Sequence, residues 1–157
     1  MAIMKAGWMT AKTESVVSIL LKLADYLEFL GENRFKVLAY RRGARAIEQS
    51  ERDIEELHAS GELSELPGIG DAILKKVAEI LATGRLHKLD ELEAQIPAPV
   101  REMLDKLPTA PTKVHCLVAH GIDSMGKLEA AAQSHELETI SELGRKATDK
   151  ILKYFAI

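Results

Sequence analysis

The chain has 157 residues, with 21 Lys/Arg against 24 Asp/Glu, a net charge of −3 at pH 7, 46% hydrophobic residues and only 4% aromatic ones. A bulk-basic nucleic-acid protein is excluded, and cores left to Leu, Ile, Val and Ala favour helices over sheets. The length admits one ordinary domain or two small ones.

The most apolar stretch, Val16 to Leu30, is broken by Lys22, Asp25 and Glu28, so no membrane span is expected. Met1 to Thr10 lacks the sustained apolar segment of a secretion signal, and the single cysteine, Cys116, rules out an internal disulfide framework. A cytoplasmic location fits these features best. Charge is unevenly spread: residues 1–50 hold 8 Lys/Arg against 5 Asp/Glu, residues 51–107 hold 7 against 13, and residues 108–157 hold 6 against 6. Any contact with DNA must therefore come from a structured patch, because the field of the whole chain is slightly repulsive.

In chain order, residues 1–13 are read as an N-terminal extension and residues 14–30 as a first helix. Val16, Leu20, Leu23, Leu27 and Leu30 recur at helical spacing, with Thr13 or Ser15 as cap and Gly31 as stop. A second helix is expected from Phe35 to about Gln49, with Phe35, Leu38, Ala39 and Ala46 or Ile47 inward and a basic face of Arg41, Arg42 and Arg45 outward. A short third helix covers Ile54 to Ala59, and Gly61 breaks it. Leu66-Pro67-Gly68-Ile69-Gly70 then forms a glycine-bearing turn directly before the helical pattern Asp71 to Leu81, which reads as a hairpin between two helices. Gly84 closes that helix and Leu86 to Ala94 supplies the next. Pro97-Ala98-Pro99 is read as the joint between two lobes, residues 14–96 and 97–157.

The second lobe contains faded copies of the hairpin. Leu107-Pro108-Thr109-Ala110-Pro111 aligns with Leu66 to Gly70 at an offset of 41, with both glycines replaced, and Glu142-Leu143-Gly144-Arg145-Lys146 keeps only the second glycine. Helices near 113–119, 124–132 and 148–155 complete an all-α protein with one intact helix-hairpin-helix and degenerate ones after it.

The chemical signal lies in the intact hairpin. Unpaired amides at a helix start, together with the positive end of its dipole, favour a phosphate oxygen. Lys75 and Lys76 follow one turn later, and Arg85 and Lys88 lie on the continuation, where they are expected to cluster on the same strand of nucleic acid. Asp71 opposes an anion. Among the histidines, His115 and His120 are five apart and lack matched cysteine or carboxylate spacing, so no structural zinc site is expected. Cys116 reads as a small buried apolar residue.

Three segments together, Ala39-Tyr40-Arg41-Arg42, Leu66-Pro67-Gly68-Ile69-Gly70 and Ile80 to Leu89, resemble in order and spacing the amino-terminal region of the family X DNA polymerases, over about residues 14–157. The resemblance implies binding to DNA backbone at gaps, nicks or 5′-phosphate ends in repair, with repair proteins as further partners. It also implies a monovalent cation, Na+ or K+, on the carbonyls of Ser64, Leu66 and Ile69, and no other cofactor. It places a Schiff-base nucleophile for 5′-deoxyribose-phosphate removal at Lys76, with Lys36, Tyr40 and Lys88 assisting. Phe35, Ala72 and Lys75 stand where the family has a histidine, a lysine and a glutamate. The aspartate triad of the family's polymerase palm has no counterpart in these residues, so no polymerase activity is expected. An alternative reading is a protein-interaction module that kept the fold and lost the DNA.

Overall fold

The computed structural model describes residues 10–157. Helix α1 (Ala11–Phe29) starts earlier than the sequence pattern indicates, so the extension assigned to residues 1–13 lies mostly outside the described residues and its last three belong to the helix. Thr10 is the cap, its Oγ1 accepting the Thr13 amide at 3.2 Å. Thr13, expected as a cap itself, is instead fully buried and tied to another helix. Its hydroxyl donates to Asp53 Oδ1 at 3.1 Å and accepts the Ile54 amide at 3.1 Å, while the Thr10 hydroxyl donates to the same Asp53 oxygen at 2.7 Å. These bonds lock the start of α1 to the start of α3 (Ile54–Ala59).

Helix α2 (Arg34–Gln49) is capped by Asn33, whose side chain accepts the Phe35 amide. Its buried stripe is Val37, Tyr40, Ala44 and Ile47, which turns the helix away from the expected orientation. Phe35, expected inward, is 81% exposed. The reason is the partner: α2 lies along α1, and its buried positions Val37, Tyr40, Ala44 and Ile47 take the inward stripe while Phe35 falls outside it.

After a 3-10 turn at Glu62–Glu65 come α4 (Asp71–Thr83), α5 (His87–Gln95), α6 (Ala98–Lys106), α7 (Pro111–Ala119) and α8 (Met125–Gln133). A second 3-10 turn at Leu137–Thr139 then leads into α9 (Arg145–Tyr154). No strand is present among the described residues. Helix α6 is absent from the sequence reading, which took its prolines as a break. Pro97 caps it and Pro99 lies in its first turn, where a missing N–H is harmless.

The joint near residues 95–99 is thus a corner between α5 and α6, held by Arg101 Nε donating to the Ile96 carbonyl at 3.1 Å. Helix α1 spans it. The Tyr26 hydroxyl donates to Asp105 Oδ1 on α6 at 3.2 Å, and Phe29 meets His115 on α7 edge-on at 5.6 Å between ring centroids. The buried residues of both halves form one cluster, almost entirely aliphatic as the composition implies, with Tyr26 and Tyr40 its aromatic members.

The two outer hairpins share a pair of turn hydrogen bonds. At the first, the Leu66 amide bonds the Leu63 carbonyl and the Ile69 amide the Leu66 carbonyl, both at 3.2 Å. At the third, Ile140 to Leu137 and Leu143 to Ile140 repeat both bonds at 3.2 Å, shifted by a constant 74 residues. Each begins with a 3-10 turn and ends on a glycine cap, Gly70 and Gly144. The third hairpin therefore keeps these hydrogen bonds with a different backbone: its left-handed residue is Gly144 (φ +82°), whereas in the first hairpin it is Gly68 (φ +89°) and Gly70 is extended. The second does not keep them: Pro111 opens α7 without an N–H, and the Thr109 hydroxyl is buried with no hydrogen-bond partner.

Asp53 carries a testable consequence. The Thr10 hydroxyl, and with it that of Thr13, holds its carboxyl below the ordinary carboxylate range. A depressed folded-state value means that this stabilisation is complete above the unfolded value of about 3.9 and is lost as pH falls through the folded one. Asp53→Asn should lower the melting temperature at neutral pH by roughly 3 °C, for a loss of about 1 kcal/mol. Its melting temperature should also decline less steeply than the wild type's below about pH 4. Parallel decline in the two proteins would show that Asp53 is not a source of the acid sensitivity.

Candidate nucleic-acid interface

The first hairpin is seated on α2 by a glycine. A Cβ at Gly43 would lie 2.7 Å from Ile73 Cδ1 and 3.5 Å from Ile69 Cδ1, so α2 packs closely on the hairpin and α4 here, and a side chain would oblige Ile73 to shift. The contact sets Arg42 beside the loop: a Cβ at Gly68 would be 3.6 Å from Arg42 Cβ. Arg42, exposed, lies beside the loop, and Arg45, also exposed, follows it on α2 one turn later.

Arg41 does not join them. It turns toward α1, with NH2 2.8 Å from Asp25 and NH1 3.0 Å from Glu28. Both carboxylates raise its affinity for the proton against the opposing effect of burial. Its expected place on the outer DNA-facing surface is corrected to a brace between α1 and α2.

The two hairpin glycines have different work. Gly68 has φ +89°, a left-handed conformation that a side chain resists. Gly70 has φ −98° and ψ −179°, extended backbone open to any residue, and nothing lies within 4 Å of where its Cβ would be. Gly70 caps α4 with no side chain, so the first-turn amides of α4 receive no side-chain oxygen and the space before them is open. Asp71, exposed in that first turn, is the acidic group there.

Ile69 is buried between the glycines and anchors the loop. Leu66 is half-buried, and its carbonyl already accepts the Ile69 amide, leaving one lone pair; the Ser64 hydroxyl bonds back to the Gly61 carbonyl.

On α4, Lys75 is exposed and Lys76 half-buried. The Lys76 ammonium lies 5.6 Å from the centroid of the Tyr40 ring, and Tyr40 itself is only 5% exposed. Lys36 is exposed one turn before Tyr40 on the same helix. Arg42 beside Gly68 and the Tyr40–Lys76 pair thus lie on the elements that meet at the α2–hairpin contact, with Lys36 and Arg45 exposed on the same α2 helix.

Arg85 and Lys88 do not belong to that group. The length of α4 puts them roughly 20 Å from the loop, and each meets a carboxylate: Arg85 with Asp90 at 3.0 Å and Lys88 with Glu91 at 3.7 Å. Their expected clustering with Lys75 and Lys76 is corrected accordingly.

Sequence reasoning passed over Gly43, although a lone glycine in a helical pattern signals close approach of another backbone. It also missed Cys116, which is half-buried rather than an apolar core residue; burial first, and then the Glu142 carboxylate, push its thiol above the ordinary value.

Residues 12–86 match a family described as a helix-hairpin-helix domain, the span that contains α1 to α4 and the Gly68–Gly70 loop. A wider relationship covers most of the chain. It is 28% identical over 142 residues to the "DNA polymerase/3'-5' exonuclease PolX" of Bacillus subtilis (strain 168). That alignment takes in 89% of this chain but 24% of the relative, so the chain spans about a quarter of that protein's length. The resemblance read from the sequence motifs holds: residues 12–86 carry a helix-hairpin-helix domain in a chain distantly related to a bacterial PolX protein.

The contrast between the two glycines can be measured. Gly68→Ala should cost about 1–2 kcal/mol in urea unfolding, the penalty of a left-handed alanine, whereas Gly70→Ala should leave stability within about 0.5 kcal/mol of wild type. Equal losses would contradict the loop geometry.

Proposed function

We propose that the chain binds DNA through its sugar-phosphate backbone, without reading base sequence, at gapped, nicked or 5′-phosphorylated sites in repair. The observation that carries this reading is the uncapped, unobstructed start of α4 at Gly70 with the exposed Arg42 against the adjacent Gly68. Oriented amides and a dipole end select an anion, and flanking guanidinium groups supply the charge that a chain of net −3 lacks overall. Phosphate contacts position a protein but do not specify sequence.

Na+ or K+ on the carbonyls of Ser64, Leu66 and Ile69 belongs to the same reading. Neutral, hard oxygens in one tight turn suit such an ion, and Leu66 retains a lone pair for it. The ion would add positive charge between loop and phosphate.

Binding to a short gapped duplex with a 5′-phosphate should weaken as salt rises, with a slope of about −0.9 in log–log terms per phosphate neutralised. Arg42→Ala with Arg45→Ala should flatten that slope by about two. Gly70→Val, which leaves the fold unstrained, should weaken binding about tenfold, or ~1.4 kcal/mol. Val at Thr109 should change binding little, since the second hairpin offers no equivalent donors. Salt-independent binding, or none at low salt, overturns the reading and leaves the protein-interaction module as its successor.

A second reading has its own observation: Lys76 and Tyr40, both matched to functional positions of the family, are in contact. Lys76 would attack C1′ of a 5′-deoxyribose phosphate as an amine nucleophile. Borohydride present during incubation with such an end should trap a covalent adduct that Lys76→Ala abolishes while binding persists. Trapping no greater than with an unrelated lysine-rich DNA binder ends the lyase reading. Trapping that survives Lys75→Ala with Lys76→Ala moves the nucleophile to Lys36.

A further inference from the structure

Away from the first hairpin, three different ligand types converge at the foot of the third. Cys116 and His120 are one helical turn apart at the end of α7, and Glu142 comes from the loop before α9; Sγ, a ring nitrogen and a carboxylate oxygen all lie within 4.8 Å of one another.

One side of the ring is engaged. His120 Nδ1 is 2.9 Å from the Cys116 carbonyl, which can only accept, so Nδ1 carries the proton and the Nε2 lone pair is presented on the other side. That lone pair faces Glu142 Oε2 at 3.7 Å, too long for a hydrogen bond. A histidine whose far nitrogen donates to a backbone carbonyl is the arrangement by which metal-ligating histidines are held.

Glu142 is held as well. Lys113 Nζ, from the first turn of α7, donates to the Glu142 backbone carbonyl at 3.2 Å. The residue is thereby pinned over α7, with its carboxylate directed at the cysteine and histidine.

We propose that Cys116, His120 and Glu142 bind a borderline divalent cation, Zn2+ being the best match, with water completing a tetrahedron. One sulfur, one imidazole and one carboxylate form a donor set that zinc takes and that Mg2+ and Ca2+, which want oxygen alone, do not. With bonds of about 2.0–2.3 Å, tetrahedral ligands stand roughly 3.3–3.7 Å apart. The His120–Glu142 gap is already at that distance, and rotation of exposed side chains closes the remainder. The ion would bond α7 of the second hairpin to the loop of the third, adding a coordinate link to a loop already anchored by Ile140, Leu143 and the Lys113 hydrogen bond. The inference is independent of the DNA-binding reading.

The test uses the untagged full chain with its thiol reduced and the reductant removed. Added Co2+ should give a thiolate-to-cobalt charge-transfer band in the near ultraviolet, which Zn2+ displaces at one equivalent. Cys116→Ser should abolish the band. His120→Ala and Glu142→Gln should each weaken Zn2+ affinity at least tenfold by calorimetry, while His58→Ala and His135→Ala, at exposed histidines outside the cluster, leave it unchanged. Added Zn2+ should raise the wild-type melting temperature and not that of Glu142→Gln. Absence of the band in the wild type overturns the proposal, whatever the variants do. So does a wild-type affinity that His120→Ala and Glu142→Gln fail to alter, because the ion would then sit on the thiol alone or on the other histidines.

Discussion

The candidate interface is organised by the packing of α2 on the first hairpin at Gly43. A Cβ there would lie 2.7 Å from the end of the Ile73 side chain, so a larger residue obliges Ile73 to shift. Along the same helix, at 3.6 residues per turn, Arg42 lies against Gly68, Tyr40 is buried beside the Lys76 ammonium, and Arg41 pairs with the carboxylates of α1. An exposed cation beside the loop and a structural brace are thus drawn from adjacent arginines of one helix.

Charge acts here through placement rather than sum. The middle segment is the most acidic part of the chain, yet it contains the hairpin with the open helix start. Much of its acid is consumed locally: Arg52 meets Glu56 at 2.9 Å and also pairs with Glu62, and Arg85 and Lys88 are taken up by Asp90 and Glu91. Arg42 and Arg45 remain exposed beside the hairpin. Within a Debye length of about 8 Å at physiological salt, this local arrangement outweighs a net charge of three.

The helical class, the intact hairpin and most helix limits were legible because periodicity and glycine punctuation are local signals. What failed required knowledge of a partner. The inward face of α2 was misjudged because Phe35 is the most hydrophobic residue at its start, while the true stripe is set by packing partners that the sequence does not display. Helix α6 was hidden by prolines that belong to its first turn. The third hairpin was discounted for a lost glycine, although its hydrogen bonds reproduce two of the first, with Leu143 buried in the place of Ile69. Cys116, His120 and Glu142 were invisible as a group since 22 residues separate the last two; only the fold closes that distance.

Tyr26 gives the corner between the two halves an unusual tolerance. Burial, and then the neighbouring Asp105, push its phenol far above the ordinary tyrosine value. The phenol therefore keeps its proton, and with it the hydrogen bond to Asp105, further into the alkaline range than an ordinary tyrosine would. Lys22, 3.6 Å from the same carboxylate and 5.8 Å from the Tyr26 ring, braces the contact from outside. The corner between the two halves thus rests on a polar contact that base is slow to undo.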